Sequence, residues 1–317
     1  MGFISSFLAT DISKRKWLSV ALTILVAAPL TWWGIYGIGE YGIALFILTP
    51  FLIGLLSVVL FGYERIITLR ESIKIAFLTL LVFTIGLVVF AIEGLICIAM
   101  VAPVALLMTW LGSYFGYELV RKAPKSSSTL SLLLIFAIPS TAYVEKQSAP
   151  ELSPVVTSII IDASPEAVWK NVIEFPELDI PTELIFKTGI AYPINARIEG
   201  TGVGAVRHCN FTTGSFVEPI TVWDEPRLLK FDVIEQPEPM KEISFWDIDA
   251  PHLHDYFVSK EGQFKLTELP NGQTKLEGTT WYYHNIKPAF YWQPWSNYII
   301  HQIHERVLNH IKVNSEK

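Results

Sequence analysis

Glu218 is the side chain best placed to do chemistry. It shares strand parity with Phe216, Ile220 and Val222, so it stands as an acid on an otherwise apolar face. A carboxyl group removed from water must be paired or protonated, and beside a base it can give or take a proton. Two partners are available across the hairpin that Thr212, Thr213 and Gly214 begin. A three-residue turn with Gly214 left-handed sets His208 opposite Glu218; a two-residue turn, Thr212-Thr213, sets Arg207 there. Gly214 favours the first register. The plainer alternative is a structural pair, or a rim acid that reaches water.

All seven histidines follow residue 200. His301, His304 and Glu305 share one helix, but zinc-protease helices space their two histidines at i, i+4, and here the spacing is i, i+3. Both rings are predicted to point away from the Trp295, Ile299, Ile303 stripe, onto a solvated polar face. His252 and His254 alternate in a proline-flanked loop with no evident third ligand, so no metal site is expected. The two cysteines, Cys97 and Cys209, exclude a disulfide scaffold and a multi-cysteine metal site, and Cys209 reads as a strand residue. There is no glycine-rich phosphate loop, no Gly-x-Ser-x-Gly elbow and no Cys/His nucleophile pattern. No cofactor is expected. Eight of the eighteen residues 281–298 are aromatic. They read as core packing, as a ring-lined cavity mouth suited to a flat or isoprenoid ligand, or as an aromatic belt at a bilayer. The candidate ligand-binding set is therefore Arg207, His208, Glu218, Trp281, Tyr282, His284, Trp295 and Ile299.

These residues lie on a predicted α+β domain, residues 155–317, behind a Pro/Ser-bearing linker at 145–154. A β-branched strand at 155–161 is followed by a helix start, Ser164-Pro165-Glu166, with Ser164 as N-cap and Val168, Trp169, Val172 and Ile173 on one face. Periodicity near two then predicts strands at 191–199, 205–211, 215–223, 228–235, 256–269 and 274–284. Pro270-Asn271-Gly272 joins the last two as a hairpin with Gly272 left-handed. A long amphipathic helix at 289–313 carries Trp292, Trp295, Ile299, Ile303, Val307 and Ile311 at 3.6-residue spacing, an apolar stripe to cover the sheet.

The segments Asp162–Trp169, Gly214–Ile220 with Trp223, and Leu276–Tyr282 leading into the long helix resemble the START-like helix-grip superfamily, SRPBCC, which includes the polyketide cyclase/dehydrase and lipid-transport proteins. The resemblance covers about 155–312. It implies a curved antiparallel sheet wrapped on the C-terminal helix, with a deep, largely apolar cavity between them. Members bind lipids, sterols, polyketides or hormones, and only some are enzymes.

The first half is of another kind. The chain is 51% hydrophobic and 17% charged, with a mean hydropathy of +0.40. Soluble domains are about 25% charged, so a simple cytosolic enzyme, a disordered protein and a nucleic-acid binder are excluded. Residues 1–149 carry 10 basic and 7 acidic side chains, and residues 150–317 carry 14 and 23, a net of −9 that again opposes nucleic acid. Five apolar stretches, 17–36, 41–62, 75–92, 94–115 and a shorter 130–144, predict a multi-pass membrane domain over 1–144. Lys14, Arg15 and Lys16, then Arg65, Arg70 and Lys74, then Arg121, Lys122 and Lys125 fall in alternate loops, while the intervening loops hold only Glu40 and Glu93. The asymmetry predicts a cytoplasmic N-terminus in the inner membrane and a C-terminal domain outside the cytoplasm, periplasmic in a two-membrane cell. Glu93 reads as a solvated turn residue or a proton relay.

Three functions are compatible with these features. The first is a membrane-anchored START-like domain that binds a hydrophobic small molecule or lipid. The second is a cyclase/dehydrase-type enzyme with Glu218 and His208 as acid and base. The third is a membrane sensor or assembly protein.

Overall fold

The computed structural model describes residues 11–122, 127–147, 149–246 and 248–317. Lys125 of the last basic loop, Ser126 ahead of the fifth apolar stretch and Ser148 of the linker lie outside the described residues. The chain forms two compact units, residues 1–149 with 244–251, and residues 150–243 with 252–317.

In the first unit, α1 (Ile12–Trp32) starts at Asp11, whose carboxylate accepts from the Ser13 and Lys14 N–H groups at 2.7 and 3.3 Å. A π-helical turn, Trp33–Ile38, prolongs it, and a second, Ala44–Leu48, leads into α2 (Thr49–Gly62). A Thr68/Glu71 capping box opens α3 (Leu69–Val89). Then come α4 (Leu95–Lys122) and α5 (Ser127–Glu145). Among the described residues four helices, Ile12–Ile38, Ala44–Gly62, Leu69–Val89 and Leu95–Lys122, are long and apolar enough to cross a membrane; Leu133–Glu145 is a shorter apolar helix.

Small residues set the closest packing in this unit. A Cβ on Gly54 would stand 2.3 Å from the Thr109 carbonyl oxygen, and one on Gly112 would stand 2.2 Å from that of Phe51. The backbones of α2 and α4 therefore touch, and Thr109 Oγ1 donates to the Pro50 carbonyl at 3.2 Å. The carboxylate of Glu145, at the end of α5, accepts from the Ile43 N–H at 2.9 Å, at the entry to the second apolar helix. Glu93 departs from its expected solvated turn: it is 9% exposed, and its N–H donates to the Leu87 carbonyl near the end of α3 at 3.4 Å.

Among its described residues the second unit has a seven-stranded antiparallel sheet and two α-helices. Its strands are β1 (Ser153–Ile161), β2 (Pro193–Glu199), β3 (Val206–Phe211), β4 (Gly214–Asp224), β5 (Leu228–Asp232), β6 (Phe257–Glu268) and β7 (Thr274–His284), in the order β1-β7-β6-β5-β4-β3-β2. Between β1 and β2 lies α6 (Pro165–Ile173), and α7 (Ala289–Ser315) closes the chain. The β6–β7 turn is as predicted, with Gly272 at φ +81°. Val168, Trp169 and Val172 of α6 are buried, and Trp169 meets Trp223 edge-on at 5.7 Å. Gly262 stands under the Phe231 ring, whose Cε2 would be 2.4 Å from a Cβ there.

The helix stripe is shifted from its predicted position. The buried line of α7 runs through Trp292, Ser296, Ile300, Val307, Leu308 and Ile311, so Trp292, Val307 and Ile311 of the predicted stripe face the sheet, whereas Trp295, Ile299 and Ile303 in its centre are half-buried at the flank. The shift turns His301 and His304 onto the sheet and away from the solvated face expected for them. Thr157 Oγ1 of β1 bonds both His301 Nδ1, at 2.7 Å, and His304 Nδ1, at 3.0 Å. Thr280 Oγ1 of β7 bonds His304 Nε2 at 2.8 Å.

Candidate functional site

The β3–β4 hairpin decides which side chains meet. Phe211 pairs with Gly214, leaving Thr212-Thr213 as a two-residue turn, and Arg207 stands opposite Glu218. This corrects the expected three-residue turn and the His208–Glu218 pair. The glycine signal was sound in conformation, since Gly214 has φ +147°, but it is spent at the first strand residue. A Cβ there would stand 3.1 Å from Pro237. The turn is also held from outside. The Thr212 N–H donates to the Tyr192 carbonyl at 3.1 Å, and the Thr213 hydroxyl donates to the Glu238 carbonyl at 2.7 Å. His208 pairs with Val217 on one side and Arg197 on the other, with its side chain on the face opposite to Arg207.

Arg207 and Glu218 are 2% and 6% exposed and form a hydrogen-bonded ion pair. Arg207 Nε also donates to the Ile173 carbonyl at 3.2 Å, which ties β3 to the end of α6. The guanidinium carbon lies 5.6, 5.5 and 5.6 Å from the ring centres of Phe175, Phe231 and Phe264. Aromatic faces of this kind offset part of the cost of burying a cation. Burial pushes the Glu218 carboxyl above the usual carboxylate range, against the pull of Arg207. Burial likewise pushes the neighbouring Cys209 thiol up to about 12, so it holds its proton and is no nucleophile at neutral pH.

Above this pair, between the sheet and α7, lies a cavity of about 110 Å³. Phe211, Phe216, Phe231, Phe257, Ile300 and Val307 supply apolar walls, and Arg207, Glu218, Thr280 and His304 are among its polar groups. The large pocket expected from the resemblance is thus present in position but small in volume; ligand sites usually enclose roughly 300–1,000 Å³. Burial, helped by the neighbouring His301, holds the His304 imidazole down to about 4, so the ring is neutral at physiological pH.

Of the predicted ligand-binding residues, Arg207 and Glu218 line the cavity. His208, Trp281, Tyr282, His284, Trp295 and Ile299 lie outside its lining. Tyr282 is buried beside it against Val155, Ile300 and Phe257, with its hydroxyl donating to Asn297 Oδ1 at 2.6 Å. Trp281 receives Lys230 Nζ over its ring at 5.3 Å, and His284 Nδ1 bonds the Ile286 carbonyl at 2.9 Å. His304 and Thr280 are the residues that the sequence reading missed. The signal that could have found them is the i, i+4 series Trp292, Ser296, Ile300, His304, Leu308, which tolerates two polar members.

No protein-family model matches the chain, and no curated protein matches it. Solved structures similar to it each cover about half of its length. A protein from Nitrosospira multiformis is 18% identical, over 51% of this chain and 94% of its own, with a TM-score of 0.31. XoxI from Bacillus cereus is 16% identical, over 51% and 94%, with a TM-score of 0.32. Norcoclaurine synthase from Thalictrum flavum, in complex with dopamine and hydroxybenzaldehyde, is 15% identical, over 52% and 86%, with a TM-score of 0.34.

Proposed function

We propose that this chain is a membrane-anchored ligand-binding module, whose START-like C-terminal domain holds a hydrophobic small molecule such as a lipid, an isoprenoid or a polyketide-like compound. The observation that carries this reading is the cavity between the sheet and α7, with ring-lined walls and a single buried ion pair at its floor. Apolar walls take hydrocarbon, and Arg207 with Glu218 offers a donor and an acceptor to one polar group of a ligand. A ligand larger than the present cavity enters by displacing α7. Part of what holds that helix to the sheet is the set of hydrogen bonds between His301, His304 and the two threonine hydroxyls, which a small shift can break.

In this reading the four long apolar helices cross the inner membrane, and α5 crosses as a fifth. The alternation of basic loops then sets the N-terminus in the cytoplasm and the ligand-binding domain outside it. An acid/base enzyme built on Glu218 and His208 draws no support from the geometry, since the two side chains leave β3 and β4 on opposite faces.

Native mass spectrometry of the full chain, extracted in mild detergent, tests the binding reading. We expect an apolar adduct of defined mass, reduced in Ile303→Trp, which narrows the cavity. A chain that carries no adduct and takes none up from a total lipid extract would overturn it. Orientation is tested separately, with a cysteine added after Lys317 and Cys97 and Cys209 replaced. Labelling of that cysteine by an impermeant thiol reagent only after lysis would reverse the topology.

A further inference from the structure

The segment 244–251 lies between β5 and β6 in sequence, yet it belongs to the compact unit that contains the apolar helices. Within that unit Asp249 lies near Tyr36, in the π-helical turn that prolongs α1, at the end of the bundle where that helix finishes. That end carries exposed aromatic rings on three helices. Trp32 closes α1 and Tyr36 lies in the π-helical turn that prolongs it, Phe90 follows α3, and Tyr143 stands in the last turn of α5. Exposed rings at the ends of membrane-crossing helices form the pattern of an interfacial belt, where a flat ring sits among lipid headgroups. In the segment itself Ile248 and Ala250 are buried, while Phe245 is 93% exposed and Trp246 54%. Two adjacent large rings held out from a folded segment are not explained by packing among the described residues.

We propose that Phe245 and Trp246 are a membrane-interface anchor: they enter the headgroup–acyl boundary of the bilayer that the apolar helices cross, on the side where α1, α3 and α5 end. The occupant is lipid and not a second protein, because the segment shares its unit with the belt rings and already sits at their end. The chemistry of contact is apolar. No lysine or arginine occurs from Glu242 to Tyr256, so there is no cation to seek an anionic headgroup, and a zwitterionic lipid suffices. The contact should therefore be insensitive to salt, unlike a basic patch.

This inference rests on the reading that the four helices span the membrane, and the test separates the two. The full chain, with Cys97 and Cys209 replaced by alanine, is reconstituted into phosphatidylcholine vesicles with a nitroxide at one added cysteine. Three sites are compared: Phe245→Cys, Leu81→Cys on the exposed face of α3, and Asn271→Cys at the β6–β7 turn. Collision with oxygen reports lipid, and collision with a water-soluble nickel chelate reports water. At Phe245→Cys we expect oxygen to dominate, as at Leu81→Cys, and the reverse at Asn271→Cys, with no change on adding salt. If Leu81→Cys is lipid-exposed but Phe245→Cys collides with nickel as freely as Asn271→Cys, the anchor is refuted and the spans stand. Low collision with both reagents at Phe245→Cys means that protein covers it, which also refutes the anchor. If Leu81→Cys itself is water-exposed, the membrane reading fails and takes the anchor with it.

Discussion

The two units bury polar atoms in opposite ways at their closest seams. Between α2 and α4 the side chains are removed: Gly54 and Gly112 let one backbone rest on the other, and a threonine hydroxyl donates directly to a backbone carbonyl. Between the sheet and α7 the side chains are kept and buried polar groups are given partners, His304 on α7 to Thr157 and Thr280 and, within the sheet beneath, Arg207 to Glu218. The first solution suits a lipid surround, where apolar burial gives no drive between helices and close packing must supply it. The second suits a domain in water that must hold a cavity open, since large side chains at an angle leave space where glycines would leave none. The difference teaches where each unit is brittle. One should fail when volume is added and the other when a partner is removed.

Removing a partner from the ion pair should do the most damage. Glu218→Ala strands the Arg207 charge among three phenylalanine rings, and breaking a buried pair in this way costs roughly 3–5 kcal/mol. We expect a large drop in the denaturation midpoint of the second unit. Replacing both partners with apolar residues, Arg207→Met with Glu218→Leu, should recover much of that loss, because no charge is then left unpaired. A double variant as unstable as the single one would show that the pair is wanted for more than its own satisfaction.

Adding volume should come next in size. Gly112→Leu brings a Cβ within 2.2 Å of the Phe51 carbonyl oxygen, so α2 and α4 must separate. Overpacking typically costs about 1–3 kcal/mol, read as a lower unfolding temperature of the full chain in detergent. Gly86→Leu on α3 is the control, since a Cβ there meets nothing within 4 Å. Equal effects at the two positions would mean that helix propensity, not the seam, is being measured.

The histidine seam should titrate. His304 is held at about 4, below its ordinary 6.5, so the fold favours the neutral ring. Its contribution to stability is then complete above about pH 6.5 and is lost as the pH falls from there toward 4. His252 is also held down to about 4 by burial, so wild type and His304→Asn must be compared directly. The variant should lose less stability between pH 7 and 4. Parallel curves would mean that the ring is already hydrated. At neutral pH, Thr157→Val takes a shared hydroxyl from two ring nitrogens and should cost about 1–3 kcal/mol.

Much of the second unit is legible in its sequence, and the places where the structure departs from it have a common cause. β7 was placed at its observed bounds because alternation and a Pro-Asn-Gly turn agree there. The centre of α7 was not, because Trp295 and Ile299 are as apolar as Trp292 and Ile300, and a period alone cannot choose between two adjoining faces. The deciding fact is tertiary: Thr157 and Thr280 wait on β1 and β7 to satisfy His304, so a polar residue can face inward. The hairpin failed in the same way, for Tyr192 and Glu238, distant in sequence, hold the turn at two residues. In the first unit the apolar lengths were plain, but the meeting of Gly54 with Thr109 depends on which helices become neighbours. The placing of 244–251 with the apolar helices follows no local pattern at all.

The smallest expected effect is the one that most sharpens the contrast between matched and unmatched polar groups. His208 is one residue from Arg207 and was the favoured partner for Glu218. In the observed register it stands opposite Val217, half-buried, on the face of β3 turned away from the cavity. If the seam of the second unit is brittle only where a buried partner is removed, His208→Ala should change stability by about 0.5 kcal/mol or less, as a surface substitution does. It should also leave any ligand adduct in place. The variant therefore reads the hairpin register itself. A loss as large as that of Glu218→Ala would mean that the hairpin has slipped by one residue, with His208 inside and Arg207 out, because a one-residue slip exchanges the two faces of a strand.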